Sequence, residues 1–344
     1  MKISAVDIFC GAGGLSHGLG RAGINITAGY DLDESCRYAF EYNNKPAKFY
    51  AVDVTAVTGE MLESEFSGAD CRLLAGCAPC QPFSTYSLGK TKSCDSKWRL
   101  LTEFGRLVKE IEPEIVTMEN VPKLQQHKVF QEFKNLLLKL DYYTSYQIVD
   151  CADYGIPQTR KRLVLLASKF GPIELRSRDP RRDKRRVVRH VIGKRESINA
   201  GEVSDRDQLH RASAVSAINL QRLQASQPGG TWRDWDDDLV AKCHREGTGS
   251  TFIGVYGRMS WDQPAPTITT QFYGFGNGRF GHPVQNRALS LREGAMLQTF
   301  PPTYRFVKPG EPIYFRTIGR LIGNAVPVRL GQVIGESIQD HIEK

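Results

Sequence analysis

The first half of the chain alternates short runs of apolar and β-branched residues with longer runs that carry apolar residues at helical spacing. Alternation of this kind is typical of βαβ units, so it predicts an α/β fold with a doubly wound, mostly parallel sheet. The predicted strands are ISAVDIF, NITAGYD, KFYAVDV, CRLLAG, EIVTMEN, TSYQIVD and RLVLLAS, and the predicted helices are DESCRYAFEYNN, KWRLLTEFGRLVKEI and KVFQEFKNLLLKL. Such sheets bind ligands at the carboxyl ends of their strands, so functional residues are expected just after the strands.

The composition of the whole 344-residue chain is that of an ordinary globular protein, with 40% hydrophobic and 24% charged residues. No run of about 18 apolar residues occurs, which argues against a membrane span. The start, MKISAVDIFCGAGG, has neither the long apolar segment nor the cleavage site of a signal peptide. We therefore expect a cytoplasmic protein whose eight scattered cysteines are reduced thiols.

Positive charge is concentrated in one segment, Arg176 to Arg195, which holds ten Lys/Arg and two Asp. Its net charge of 10 − 2 = +8 equals the net charge of the whole chain, +8. A basic segment beside a near-neutral body suggests a polyanionic partner, although a solvated basic loop explains the charge equally well.

The composition of the sequence changes after about Ser168. Polar, Gly-rich stretches with scattered aromatic residues there indicate a smaller, irregular second domain. The pattern is helical again at LSLREGAMLQTF. The stretch FRTIGRLIGNAVPVRLGQVIGESIQDHI is then interpreted as a loop and a closing amphipathic helix that packs back on the first domain.

A glycine-rich turn, DIFCGAGGLSHGLG, follows the first predicted strand. Glycines at this position let a ligand approach the backbone closely. Gly11 and Gly13 fit the nicotinamide-dinucleotide pattern, but Ser16 stands where its third glycine is needed. This break argues against a dinucleotide.

Two acidic residues follow the next two predicted strands. Asp31 lies about 20 residues after the turn, where a carboxylate can bind both ribose hydroxyls. Asp53 follows the third strand, where it can accept from an adenine amine. The turn and the two acids together predict an adenosine-containing cofactor.

The stretch LLAGCAPCQPFS sets Cys77 and Cys80 three residues apart. A redox pair, half of a metal site and a single nucleophile all fit this spacing. The sequence has no second close cysteine pair for zinc, and the polar stretch after Cys80 does not resemble a helix opened by a redox pair. Glu119 ends a neighbouring strand and would lie near Cys80, giving a nucleophile and an acid in one cleft.

Six motifs occur in a specific order: DIFCGAGGLSHG, PCQPFS, ENVP, QTRKR, RALSLREGAMLQTFP and GNAVP. This series resembles the DNA (cytosine-5)-methyltransferases, particularly the compact bacterial modification enzymes. The resemblance covers the chain nearly end to end, apart from about Phe170 to Pro266. It implies S-adenosyl-L-methionine as cofactor, the methyltransferase fold that binds it, and a cytosine in double-stranded DNA as substrate.

The resemblance also implies a role for individual residues. Cys80 would be the nucleophile that attacks carbon 6 of the cytosine, and Glu119 would hydrogen-bond or protonate ring nitrogen 3. Arg162 would contact the carbonyl oxygen of the base, and Arg160 would assist nearby structure or phosphate. The cofactor would be held by Phe9, Gly11, Gly13, Asp31, Leu32, Asp53, Val54, Pro79, Leu100, Asn324 and Val326.

Cys77 is interpreted as a small residue on the cofactor side whose spacing from Cys80 is a coincidence. Its replacement by Gly or Ala is expected to leave methyl transfer largely intact.

The target base must leave the DNA stack to be methylated, at a cost of a few kcal/mol. The loop from Ser84 to about Lys97 is expected to close over it. Thr267 would begin the target-recognition scaffold, and Arg185 and Arg186 would contact DNA. By the resemblance, residues 1–169 and 302–344 form the catalytic domain, and residues 170–301 form the target-recognition domain and hinge.

A restriction-modification system with a separately encoded endonuclease is the expected context, for a monomeric, bacterial, cytoplasmic enzyme that associates with the nucleoid through DNA. Three alternatives are a tRNA cytosine-5 methyltransferase on the same fold, a non-catalytic DNA-binding protein and a nicotinamide oxidoreductase. The last is disfavoured by Ser16, and the second by the intact Cys80, Glu119 and Arg162.

Overall fold

The computed structural model describes residues 1–79, 95–245 and 247–343, which form two compact units. The first unit consists of Met1–Tyr154, Lys161–Asp183 and Ala325–Lys344, and the second of Gly155–Arg160 and Lys184–Asn324. The units divide the chain at positions other than the predicted domain limits. The division of function between domains stays a prediction.

A seven-stranded sheet forms the centre of the first unit, with strand order β3-β2-β1-β4-β5-β8-β6 over the described residues. Its strands are β1 (Ile3–Ile8), β2 (Asn25–Asp31), β3 (Lys48–Ala51), β4 (Cys71–Gly76), β5 (Ile115–Asn120), β6 (Tyr143–Asp150) and β8 (Lys161–Ser168). The first five are parallel, whereas β8 runs antiparallel to both β5 and β6. Every residue of β1 and β5 is buried, as expected for a sheet covered on both faces. The predicted mostly parallel α/β fold is confirmed.

Helices cover this sheet because each turns an apolar stripe toward it. Those of the first unit are α1 (Gly14–Arg21), α2 (Arg37–Asn43), α3 (Gly59–Glu65), α4 (Asp95–Ile111), α5 (Lys128–Lys139) and α11 (Val328–Ile342). Phe104 of α4 and Phe133 of α5 are buried with ring centroids 5.7 Å apart, in one core with Leu74 of β4 and Met118 of β5. Residues 95–97, predicted as part of a loop, belong instead to α4.

The helix α11 packs on α1 through glycines of α1. A Cβ added at Gly14 would lie 2.3 Å from the carbonyl oxygen of Val326, and one at Gly18 would lie 2.3 Å from that of Val328. Only glycine therefore permits this approach of the two backbones. The expected return of the closing helix to the first domain is thus observed, but a further helix, α10 (Phe315–Asn324), precedes it where a loop was predicted.

The second unit contains the short parallel pair β7 (Gln158–Thr159) and β9 (Ala265–Pro266). Its helices are α6 (Val188–Ile192), α7 (Ala217–Ala225), α8 (Lys242–Arg245), α9 (Leu291–Leu297) and α10. A small core joins Leu223, Trp232, Trp235, Phe275 and Ala288.

Two buried arginines organise the irregular chain of the second unit. Arg258 is 4% exposed and donates to the backbone carbonyls of Leu223, Ser226, His282 and Gln285 and to the side-chain oxygen of Asn286. Arg287 is fully buried and forms a two-pronged ion pair with Glu293. Such pairing satisfies the charges and orders segments that lack a regular hydrogen-bond ladder.

Within the described ranges, no helix is both long and apolar enough to cross a membrane.

Candidate active site

The carboxyl ends of the parallel strands of the first unit meet along one edge of the sheet. Ile8 of β1 pairs with Tyr30 of β2 and with Gly76 of β4, and Gly76 in turn pairs with Met118 of β5. Residues that follow these four positions therefore lie side by side. The antiparallel β8 begins at the same edge, because Leu163 pairs with Asn120.

The turn after β1 has an unusual backbone. Phe9 adopts φ 63°, and Gly11 and Gly13 adopt φ 52° and 83°. A left-handed conformation is strained for phenylalanine and is typical of functional sites. A Cβ built on Gly11 would meet nothing within 4 Å, so open space borders the backbone here. The predicted cofactor residues Phe9, Gly11 and Gly13 thus form an accessible, tightly curved segment.

Asp31, at the end of β2, faces this turn. Its Oδ2 accepts from the Gly11 N–H at 2.9 Å, and its Oδ1 accepts from the Asp33 N–H at 2.9 Å. Burial raises the pKa of the Asp31 carboxyl although these backbone donors oppose the shift. Leu32, the next residue, is 71% exposed and presents a bare apolar side chain beside the carboxylate.

A second carboxyl lies beneath the turn. Asp7 is 1% exposed and accepts from the Ser16 hydroxyl at 2.6 Å. Burial raises the pKa of Asp7 to about 7, the Ser16 hydrogen bond lowers it, and the nearby Asp31 raises it further. Ser16, which interrupts the dinucleotide pattern in the sequence, thus serves as the hydrogen-bond donor to Asp7.

The other cofactor residues predicted in the first unit lie close to the same edge or in the core below it. Asp53 follows β3 and accepts from the Thr55 N–H and hydroxyl, and these hydrogen bonds lower the pKa of its carboxyl. The adjacent Val54 is buried, as is Val326, whose carbonyl lies against the backbone of Gly14. Leu100 is half-buried against the core, and Pro79 is exposed after β4.

These features fit an adenosine-containing methyl donor. The curved glycine backbone borders open space, Asp31 offers carboxylate oxygens, and Leu32 offers an uncovered apolar surface. Recognition of ribose hydroxyls and of an adenine face needs these types of group. The residues at this edge therefore fit a bound adenosine-containing group.

Glu119, the penultimate residue of β5, lies at the same edge with a 2% exposed side chain. Its Oε1 is 2.8 Å from the Nε of Arg162 on β8, an ion pair between a buried carboxylate and a mostly buried guanidinium. Beyond this ion pair, Oε1 accepts no hydrogen bond from the part of the chain that the structure describes. Its Oε2 accepts from the thiol of Cys77 at 2.9 Å.

The segment that leads to Cys80 is held at the end of β5. Asn120 Nδ2 donates to the carbonyl of Ala78 at 3.0 Å. Cys80 itself, and Ser84, lie outside the described residues. Asn120 was not predicted as a site residue, although its place directly after Glu119 in ENVP was a signal for it.

Three further predicted residues belong to the second unit. Arg160 is 3% exposed, and its guanidinium donates to the carbonyl of Ile268 at 3.2 Å. The Thr267 hydroxyl donates to the carbonyl of Thr159 at 3.0 Å, which reinforces the pair of β7 and β9. Asn324 is exposed at the end of α10, next to Gly323, where a Cβ would lie 2.4 Å from the backbone of Thr269.

The basic segment contains one buried group of ion pairs and several exposed cations. In the first unit Arg176 pairs with Asp183 and Glu336, and in the second Arg189 pairs with Asp262. Arg185 and Arg186 are both exposed. Arg186 donates to the carbonyl of His190 at 3.4 Å. The ion pairs of Arg176 are mostly buried, whereas Arg185, Arg186 and Arg189 lie at the surface.

This combination of a nucleotide-type turn with a buried acid and arginine at one sheet edge is that of a methyltransferase fold. The sequence profile of the C-5 cytosine-specific DNA methylases matches residues 3–340. The chain belongs to this family of DNA cytosine-5 methyltransferases.

Two bacterial proteins illustrate the relationship. The Type II methylase M.HgiDII of Herpetosiphon aurantiacus is 48% identical over 99% of this chain and 96% of its own length. The Type II methyltransferase M1.HphI of Haemophilus parahaemolyticus is 30% identical over 98% of this chain and 87% of its own. The fold is also shared with the solved Entamoeba histolytica methyltransferase EhMeth, with a TM-score of 0.68, 18% identity and full coverage of both chains.

Proposed function

We propose that the chain uses S-adenosyl-L-methionine to methylate carbon 5 of a cytosine flipped out of duplex DNA. The observation that supports this most directly is the buried Glu119 carboxyl beside Arg162, one strand away from the segment that leads to Cys80. An acid, a fork-shaped cation and a thiol at one sheet edge are the groups that activation of a cytosine needs.

The steps follow from the chemistry of the base. The Cys80 thiolate attacks carbon 6, which forms a carbon–sulfur bond and moves electron density into the ring. Glu119 donates to ring nitrogen 3, and Arg162 donates to the carbonyl oxygen, so both stabilise the negative charge that develops there. Carbon 5 becomes nucleophilic as a result and would take a methyl group from a bound donor, whose sulfur would keep the electrons of the broken bond. Carbon 5 would then carry both the methyl group and its original hydrogen. Loss of its proton to a base then expels Cys80 and restores the aromatic ring.

When bound, S-adenosyl-L-methionine supplies an electrophilic methyl group on a positively charged sulfur. Asp31 would hold its ribose, Leu32 would pack on the adenine, and Asp53 with Val54 would contact the adenine edge. The backbone of Phe9, Gly11 and Gly13 would line the methionine part, with Pro79, Leu100, Asn324 and Val326 completing the pocket.

Residues 170–301, most of which lie in the second unit, would form the target-recognition domain and hinge that recognise the DNA. Thr267 would start the recognition scaffold, and Ser84 would lie on the loop that covers the flipped base. The buried Arg160 would support the structure near Ile268. The exposed Arg185 and Arg186 would neutralise phosphates, which releases counterions.

The relatives named as Type II methylases support a role as the modification enzyme of a restriction-modification system. In that role the chain would act as a monomer at the bacterial nucleoid in the cytoplasm. A separately encoded endonuclease would cut the same DNA sequence when it is unmethylated.

The direct test is expression in a methylation-free host followed by bisulfite sequencing of the host DNA. We expect 5-methylcytosine at one short sequence context, and none with Cys80→Ala. Glu119→Gln is expected to slow the reaction at least about 100-fold, since positioned proton donors typically contribute that much. Soluble wild-type protein that leaves DNA unmethylated but methylates host tRNA would contradict the DNA assignment.

DNA that carries 5-fluorocytosine at the target position tests the covalent step. Fluorine cannot leave as a proton does, so the enzyme should remain bound to the DNA through Cys80. Retention of a covalent complex by Cys80→Ala would exclude Cys80 as the nucleophile.

A further inference from the structure

The thiol of Cys77 contacts the candidate catalytic acid directly. Its sulfur lies 2.9 Å from Oε2 of Glu119, although the two residues are 42 positions apart in the chain. Cys77 is partly buried and Glu119 is 2% exposed, so the hydrogen bond lies in a largely desolvated environment. Hydrogen bonds to carboxylates in such surroundings are stronger than those exposed to water.

The backbone around Cys77 is fixed from both sides. Its N–H donates to the carbonyl of Ile8, the last residue of β1, at 3.3 Å. The next residue, Ala78, accepts from Asn120 of β5 at 3.0 Å. The thiol therefore projects from a segment tied to both neighbouring strands, and its position relative to Glu119 is set by the sheet.

The contact divides the two oxygens of Glu119 between different roles. Oε2 is occupied by the Cys77 thiol, whereas Oε1 accepts no hydrogen bond from the described residues and lies 2.8 Å from the Arg162 Nε. Oε1 is thus held only by its ion pair with Arg162 among the described residues, and a carboxyl oxygen has a second lone-pair site that can take part in a hydrogen bond with a substrate.

We infer that Cys77 is a positioning residue that holds Oε2 of Glu119 and so presents Oε1 to ring nitrogen 3 of the target cytosine. This inference rests on the proposed function, because it assigns an orientation to the acid of that reaction. It also reverses the expectation from sequence that loss of the Cys77 side chain leaves methyl transfer largely intact.

The test compares single-turnover rates of methyl transfer to a duplex containing the mapped site. Cys77→Ala removes the donor and is expected to slow the step about 5- to 15-fold, the usual effect of losing one hydrogen bond of this kind. The apparent affinities for DNA and for S-adenosyl-L-methionine should stay within about twofold. Cys77→Ser keeps a donor and is expected to stay within about threefold of the wild-type rate.

Two controls separate positioning from general packing. Cys71→Ala deletes a fully buried thiol at the other end of the same strand, so it should lower the melting temperature without changing the rate. In a Glu119→Gln background, Cys77→Ala should cause no further slowing, because the residue acts through the carboxyl that has been replaced.

The inference is overturned if Cys77→Ala reacts at the wild-type rate, if Cys77→Ser is as slow as Cys77→Ala, or if the slowing is undiminished in the Glu119→Gln background. A wild-type chain that neither methylates DNA nor forms the 5-fluorocytosine complex overturns the proposed function, and this inference with it. The two failures are therefore distinguishable.

Discussion

Arg287 and Glu293 form a two-pronged ion pair, with N–O distances of 2.7 and 2.8 Å, in which both side chains are fully buried. Arg287 also donates to the carbonyls of Ile198 and Ala288, and Glu293 accepts from the Ser290 N–H. The pair thus fixes the start of α9 against the segments around it.

Breaking this pair should destabilise the second unit strongly. Glu293→Gln leaves the Arg287 charge buried without a counterion, which typically costs about 3–5 kcal/mol of unfolding free energy. The double variant Arg287→Met with Glu293→Leu removes both charges and should be less destabilised than the single variant. Urea unfolding monitored by tryptophan fluorescence measures both, since Trp232, Trp235 and Trp261 lie in the second unit. A Glu293→Gln protein as stable as wild type would show that the pair contributes nothing.

The same cluster predicts loss of stability in acid. Burial lowers the pKa of His282 to about 4, and its Nδ1 already accepts from the backbone N–H groups of Val284 and Gln285. Burial alone would raise the pKa of Glu293, but Arg287 holds it at about 2. Both values lie below the ordinary 6.5 and 4.5, so the unfolded chain binds more protons and the stability falls as the pH falls.

The contribution of His282 should be lost from about pH 6.5 to about 4, and that of Glu293 from about pH 4.5 to about 2. Melting temperatures of wild type and His282→Gln, recorded between pH 7 and pH 3, test this. The slope between pH 6.5 and 4 should be shallower in the variant. Equal slopes would assign the acid sensitivity to other groups.

The contact of α1 with α11 predicts opposite effects for two glycines of one helix. Gly18→Ala places a Cβ 2.3 Å from the Val328 carbonyl oxygen, so the helices must separate and the first unit should lose several kcal/mol of stability. Gly20→Ala meets nothing closer than Ile26 at 3.9 Å and should stabilise the helix by about 0.5–1 kcal/mol. The measurement is the melting temperature of each variant. If both melting temperatures fall, or both rise, the result contradicts the packing described for α1 and α11.

Substitutions of Asp31 and of the nearby Asp33 provide a test variant and a matched control for cofactor binding. Asp31→Asn should weaken the affinity for S-adenosyl-L-methionine about 10- to 100-fold, since hydrogen bonds to a charged group contribute about 1.5–3 kcal/mol. Asp33→Asn alters a carboxylate that accepts from the Ser35 N–H and should leave the affinity nearly unchanged. Isothermal titration calorimetry of the free enzyme measures both constants. Equal losses in the two variants would argue against a specific ribose contact.

Two exposed arginines of the basic segment, Arg186 and Arg189, should differ in their contribution to DNA binding. Arg186→Ala removes a cation that donates to a backbone carbonyl, whereas Arg189→Ala removes one whose charge is offset by Asp262. Each phosphate contact contributes about 0.9 to the slope of log affinity against log salt concentration. Arg186→Ala should lower this slope by about one, and Arg189→Ala by much less. The reverse order, measured by fluorescence anisotropy over a salt series, would refute the assignment.

The sheet and its functional edge could be predicted from sequence because apolar runs end at polar residues. Asp31 and Glu119 close such runs, and the structure places both at the strand ends expected for them. The helix Gly14–Arg21 was not predicted, since three of its eight residues are glycine and its stability comes from packing on α11. No local pattern signals that contact.

Contacts between residues that are distant in the chain could likewise not be predicted from the sequence. The bond of Cys77 to Glu119 spans 42 positions, and nothing in either motif specifies it. The carbonyls that bind Arg258 come from loops whose paths depend on that arginine itself. The pattern of apolar residues in a strand predicts whether that one segment is buried. It does not predict which side chains of two distant segments will form contacts.

The contact between α1 and α11 also determines when the first unit can be completed during protein synthesis. The ribosome makes α1 among the first residues, but its partner, beginning at Val328, emerges only after the whole sequence of the second unit has been translated. Until then the glycine face of α1 and the apolar residues beside it are uncovered. The nascent chain therefore cannot complete the first unit until translation has passed α11.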